Sequence, residues 1–127
     1  DLIEEFERKD KVIVASAKGD VLEDFRERCK GVATSASPSE AIGFLARYKI
    51  GLSDNVAPEM QVLQTPRDIR VIDVVTDAYV KAAHEMNLEV HVWTVNETEE
   101  MRELIKIAVD GVMTDYPDRL LSAFAEK

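Results

Sequence analysis

Val90-His91-Val92-Trp93-Thr94-Val95-Asn96, then a helical interval, then Val109-Asp110-Gly111-Val112-Met113-Thr114-Asp115-Tyr116-Pro117, is the stretch whose reading decides the fold. Val90, Val92 and Thr94 alternate with His91, Trp93 and Val95, which is the period of a strand. Asn96 and Glu99 offer a cap and its partner for a helix carrying Met101, Leu104, Ile105 and Ala108 on one face. Gly111 to Thr114 reads as the next strand. Pro117 suits the first turn of a final helix whose apolar stripe is Leu120, Leu121 and Phe124.

The same alternation continues upstream. After an initial helix at Leu2 to Arg8, Val12 to Ala17 reads as a strand, and Asp20 caps a following helix with Glu23 at the capping-box position. Val32 to Ala36 makes a second strand. Ser37-Pro38-Ser39-Glu40 then supplies an N-cap, a proline at the first helical position and a reciprocal glutamate. A loop with Gly51, Asn55 and Pro58 leads to a third strand at Met60 to Gln64. A longer connection follows, and then Thr76 caps a helix through Met86. Asn87, whose short polar side chain tolerates positive φ, ends that helix.

With 127 residues, the chain has the size of one domain and about half the length of a (β/α)8 barrel, roughly 250 residues. Its apolar runs are too short to span a bilayer. A formal charge of -9 at pH 7 repels nucleic acid and anionic lipid, and no basic patch interrupts it. Cys29 is the only cysteine, which excludes an intrachain disulfide and leaves the compartment open, with the cytoplasm favoured. No GxGxxG or P-loop spacing occurs, and no carboxylate cluster ends the first strand.

Strands alternating with helices require parallel pairing and right-handed crossovers, hence an α/β protein. Two architectures fit. One is a five-stranded open parallel sheet of flavodoxin type, which pattern and length favour; the other is the trailing five β/α units of a (β/α)8 barrel of TIM type.

The motifs favour the second. Val12-Ile13-Val14-Ala15-Ser16, Val62-Leu63-Gln64-Thr65-Pro66, Ala82-Ala83-His84, Val90 to Asn96 with Glu100-Met101, and Thr114-Asp115-Tyr116-Pro117 follow one another in register over nearly the whole chain. Together they resemble the carboxyl-terminal portion of the glycerophosphodiester phosphodiesterase family. Ala17 departs from the family's phenylalanine, and Asn87 and Ala108 from its glycines. The resemblance implies a single partial domain over residues 1–127. The whole enzyme would be metal-dependent and convert a glycerophosphodiester and water to glycerol 3-phosphate and an alcohol.

The family's His-Arg-Gly motif, Glu-x-Asp pair, second histidine followed by aspartate, and Glu-x-Lys strand do not occur in this sequence. By strand count they belong upstream of Asp1. The calcium or magnesium of the complete enzyme therefore has no ligand set here, and the chain alone is expected to be inactive. The resemblance makes Trp93 a contact to the glycerol side of the substrate, with Gln64 and Ser16 as further polar contacts at strand ends.

His84 reads as a helix-end residue favoured by the dipole, and His91 as core packing or a structural hydrogen bond. Asp110 and Asp115 flank a strand rather than converge on a metal. Glu97, Glu99, Glu100 and Glu103 form a solvated acidic helix start.

Two other readings stay open. A noncatalytic half-barrel would serve as a binding or assembly module, its exposed edges pairing with the missing amino-terminal half or with a second copy. Lysophospholipids, as in lysophospholipase D relatives, are the alternative substrate class.

Overall fold

The computed structural model describes residues 2–51, 59–69 and 72–125. Two compact units divide the chain, Asp1–Leu63 and Gln64–Lys127, and each is described by itself.

The first unit contains α1 (Leu2–Glu5), β1 (Ile13–Val14), α2 (Gly19–Arg28), β2 (Ala33–Thr34), α3 (Pro38–Lys49) and the first two residues of β3 (Val62–Pro66). β1 and β2 pair in parallel, with Ile13 opposite Ala33 and Val14 opposite Thr34. The next residue, Ser35, bridges Val62 in parallel. Both ladders are shorter than the extended runs in the sequence. The third strand starts at Val62 rather than Met60, and Met60 is buried just ahead of it. The expected loop at Gly51, Asn55 and Pro58 falls largely on residues 52–58, outside the described residues.

The start of α3 follows the sequence closely. Ser37 Oγ accepts from the Glu40 backbone N–H, Glu40 Oε2 accepts from the Ser37 N–H at 2.7 Å, and Pro38 occupies the first helical position. The start of α2 does not. Lys18 is its cap residue and supplies no side-chain bond, while Asp20 lies inside the first turn, where its charge complements the dipole.

One side chain ties this unit together. Arg26 of α2 donates through Nε to Thr34 Oγ1 at 2.9 Å and through Nη1 to Glu40 Oε1 at 2.7 Å. A helix, a strand and the next helix are thereby joined by one guanidinium, whose planar fork suits a carboxylate and a hydroxyl at once. Gln61 completes the seam: its Oε1 accepts from the Thr34 N–H at 2.9 Å, while its own N–H donates to the Thr34 carbonyl at 3.0 Å. Burial pushes the Glu40 carboxyl up, but hydrogen bonds from Arg26 and the Ser37 backbone outweigh it and hold the group below its ordinary 4.5.

In the second unit the rest of β3 leads into an antiparallel pair, β4 (Asp68–Ile69) and β5 (Ile72–Asp73), inside what the sequence offered only as a long connection. There follow α4 (Asp77–Glu85), β6 (Glu89–Trp93), α5 (Thr98–Lys106), β7 (Gly111–Val112) and α6 (Pro117–Ala125). The sheet order is β3-β6-β7, and β6 pairs with β7 in parallel, His91 opposite Gly111 and Val92 opposite Val112.

Val90 and Val92 are fully buried, as are Val80, Ala83, Met101 and Leu104. Glu89, His91 and Trp93, which share the other strand parity, are half-buried or exposed. Thr76 caps α4, accepting from the Tyr79 N–H at 3.2 Å. Asn87 takes positive φ as expected, and Ala108 does so too, a position where glycine is less strained.

Two expectations fail here. Glu97, not Asn96, is the cap residue of α5, because Asn96 spends its side chain elsewhere. In α6 the buried residue is Ala123, while Leu121 and Phe124 are 71% and 53% exposed. That helix packs against α5, with Leu120 half-buried and Leu121 and Phe124 left largely exposed.

Five parallel strands, β1, β2, β3, β6 and β7, and six helices make this an α/β fold of the incomplete (β/α) barrel or open-sheet kind. Within the first unit β1, β2 and the start of β3 neighbour one another in chain order, whereas a flavodoxin-like sheet would place its first strand between the second and the third.

Two outcomes test this packing. Glu40→Gln should lower the urea midpoint at neutral pH. Because the folded carboxyl titrates below 4.5, that difference should be full above 4.5 and shrink as acid protonates Glu40 in the folded state. Gly111→Ala would place a Cβ 2.7 Å from His91 Cδ2 and 2.9 Å from its Cγ. Denaturant unfolding should show a loss of about 1–3 kcal/mol, largely recovered when His91→Ala is added.

Candidate functional site

Beyond the ends of β6 and β7 the two segments stay in register. The Met113 N–H donates to the Val92 carbonyl at 2.8 Å, and the Val95 N–H to the Met113 carbonyl at 2.9 Å. The Trp93–Thr94 peptide between them is cis.

Asn96 then closes the gap between the two loops. Its Oδ1 accepts from the Asp115 N–H at 3.0 Å and from Thr114 Oγ1 at 3.2 Å, and its Nδ2 donates to Asp115 Oδ2 at 2.9 Å. Thr114 Oγ1 in turn accepts from the Tyr116 N–H at 3.0 Å. Arg119 donates from Nη1 to the Asn96 carbonyl at 2.9 Å, and its guanidinium lies 4.1 Å from the centre of the Tyr116 ring. Three large apolar side chains stand exposed on this end: Trp93 at 45%, Tyr116 at 43% and Met113 at 38%. In barrels the carboxyl ends of strands are where ligands are held.

The opposite end of the same strands is built for cohesion. Asp110 Oδ2 accepts from the Val90 N–H at 2.8 Å and meets His84 Nε2 at 2.8 Å, while the Asp110 N–H donates to the Val90 carbonyl at 2.9 Å. His84 therefore fastens the end of α4 to the start of β7, a fuller structural role than the dipole alone offers. Asp110 and Asp115 sit at opposite ends of β7. His91 lies across Gly111 with Nε2 3.2 Å from Glu89 Oε2, a packing role with a carboxylate beside the ring. Within the acidic run, Glu103 pairs with Arg67 at 2.9 Å and Glu99 with Arg102.

Of the three residues singled out for substrate contact, Trp93 ends β6 and Gln64 lies on β3, so both belong to the β3-β6-β7 sheet. Neither the Trp93 indole N–H nor the half-buried Gln64 amide has a hydrogen-bond partner among the described residues. Ser16 belongs to the first unit, where its Oγ accepts from the Lys18 N–H at 3.1 Å.

Asn96, Thr114 and Arg119 were not read as a set in the sequence. The signal was present as two motifs ending adjacent strands, but Asn96 also fits a helix cap, and propensity cannot distinguish the two uses.

A hard divalent cation such as calcium or magnesium asks for about six or more oxygen ligands, several of them carboxylates. Among the described residues no three His, Cys, Asp or Glu side chains form a group able to hold a metal ion. The carboxylates at the two ends of β7 are already engaged with His84 and Asn96. The donor set here does not fit such an ion.

The glycerophosphoryl diester phosphodiesterase family matches residues 2–119. A Mycobacterium tuberculosis protein named probable glycerophosphodiester phosphodiesterase 2 is 31% identical over 94 residues, covering 72% of this chain and 36% of that protein. The dermonecrotic toxin Hl-PLD1 of Hemiscorpius lepturus is 31% identical over 118 residues, covering 80% of this chain and 36% of the toxin. A crystal structure from Silicibacter pomeroyi, assigned as a glycerophosphoryl diester phosphodiesterase, superposes with a TM-score of 0.72 at 22% identity, over 98% of this chain and 41% of that one. This chain thus spans about a third of the curated relatives it matches. With the family's motifs held in register on paired strand ends, the chain belongs to the glycerophosphodiester phosphodiesterase family, as a portion of its fold.

Proposed function

We propose that this chain forms the carboxyl-terminal wall of a glycerophosphodiester-binding pocket, in an assembly that hydrolyses the diester to glycerol 3-phosphate and an alcohol. The observation that carries the reading is Trp93, 45% exposed at the carboxyl end of β6, its indole N–H without a hydrogen-bond partner among the described residues. A buried tryptophan ordinarily pairs that N–H, so a half-exposed, unpaired one at a strand end suits an amphipathic ligand with both CH and OH groups. Gln64, whose amide has no hydrogen-bond partner among the described residues, is a further polar contact on the same sheet.

Phosphodiester hydrolysis needs charge neutralisation at phosphorus and a proton for the leaving alkoxide. His84 is held by Asp110 and His91 lies on Gly111 beside Glu89, so neither is placed as an acid or base. The acid, the base and the calcium or magnesium ligands come from a complementary amino-terminal half. Lysophospholipids are the second substrate class.

An assembly role is favoured independently by one surface. Among the described residues β7 ends its sheet, and on α6 Leu121 and Phe124 are largely exposed. An open strand edge and an exposed apolar helix face each invite another β/α unit, from the complementary half or from a second copy.

Trp93 is the chain's single tryptophan, so its fluorescence reports this end alone. Titration with glycerol 3-phosphate should give a saturable emission change, whereas incubation with glycerophosphocholine or a lysophospholipid and added calcium or magnesium should give no product. Turnover by the chain alone, or emission indifferent to all three ligands, would overturn the reading. Light scattering tests the assembly role: concentration-dependent association that Leu121→Ser with Phe124→Ser abolishes supports it, and a monomer at every concentration counts against self-pairing.

A further inference from the structure

Among the described residues, every side-chain hydrogen bond that reaches across between the loops after β6 and β7 involves one residue. Asn96 Oδ1 takes the Asp115 N–H and the Thr114 hydroxyl, Nδ2 gives to the Asp115 carboxylate, and the Asn96 carbonyl takes Arg119. Two of these bonds lead on to Tyr116. Thr114 Oγ1 receives its backbone N–H, and Arg119 lies against its ring. On the other side Asn96 is joined to Trp93 through only Thr94 and Val95, and Val95 is itself pinned to Met113.

We infer that Asn96 is a positioning residue for the exposed aromatic pair, setting where Trp93 and Tyr116 stand at the carboxyl ends of β6 and β7. This rests on the proposed binding wall and adds what holds it in shape. A helix cap would need an acceptor alone. This position needs an acceptor and a donor on one short planar group, because a backbone N–H and a carboxylate of Asp115 must both be met, and an amide supplies both.

The chemistry makes the inference separable from simple stability. Asn96→Asp keeps the acceptor but sets a carboxylate against that of Asp115, at a place where the present atoms are 2.9 Å apart. Adding Asp115→Asn restores a donor facing an acceptor with the direction of the bond reversed.

The measurement is acrylamide quenching of Trp93 on the folded protein, well below its melting temperature, for the parent, Asn96→Ala, Asn96→Asp and the exchanged pair. Because Trp93 starts at 45% exposure, the quenching constant should rise in both single variants toward about twofold, the ceiling set by full exposure. It should return to the parent value in the exchanged pair. A lower melting temperature with unchanged quenching overturns the inference, as does an exchanged pair that folds but stays as accessible as Asn96→Asp. Should Asn96→Ala fail to fold, the comparison of Asn96→Asp with the exchanged pair decides alone. Since no ligand is used, the outcome is independent of whether glycerol 3-phosphate binds.

Discussion

The parallel pairing of β6 with β7 is the constraint on which the second unit depends. Its register sets His91 against Gly111 and Val92 against Val112, and so determines which side chains enter the core and which line the opposite face. A slip of one residue would turn Val90 and Val92 outward and Trp93 into the helices. Three separate devices hold the register: the Asp110 bonds at the amino ends, the flat fit of a histidine over a glycine in the middle, and the Asn96 clip at the carboxyl ends.

Those devices divide the strands into ends of different character. At the amino ends the polar groups are satisfied within the chain, by His84, Asp110 and the Val90 backbone. At the carboxyl ends the clip is complete, while the half-exposed Trp93 indole beside it has no hydrogen-bond partner among the described residues. The same contrast separates cohesion from recognition in β/α barrels generally.

How much of this was legible in the sequence depends on how local each feature is. The capping box at Ser37 and Glu40, the Thr76 cap and positive φ at Asn87 were all readable, because their causes lie within a few residues of each other. The start of α2 was misread because Asp20 fits a cap and a first turn equally well. The antiparallel pair at Asp68–Ile69 and Ile72–Asp73 carries no hairpin signal of the Asn-Gly kind, so it passed as a loop. Family motifs pointed to Trp93 and Gln64, but not to the bonds that hold their surroundings. Those bonds join residues some twenty positions apart, and no periodicity records them. The apolar stripe of α6 was legible as Leu120, Leu121 and Phe124; that Ala123 is buried while Leu121 and Phe124 are exposed depends on what is packed beside the helix, which no helix can say of itself.

Tyr79 gives the seam between α4 and β3 a property of another kind. Burial raises its phenol to about 12, against an ordinary 10, despite the hydrogen bond with Thr65. Between those two values the unfolded chain releases a proton that the folded chain keeps, so folding is opposed progressively as alkalinity increases through that interval. The residue thus couples the integrity of this seam to proton activity in a range where the carboxylates are already silent. Tyrosinate absorbance would register its opening without reference to the tryptophan that ends β6.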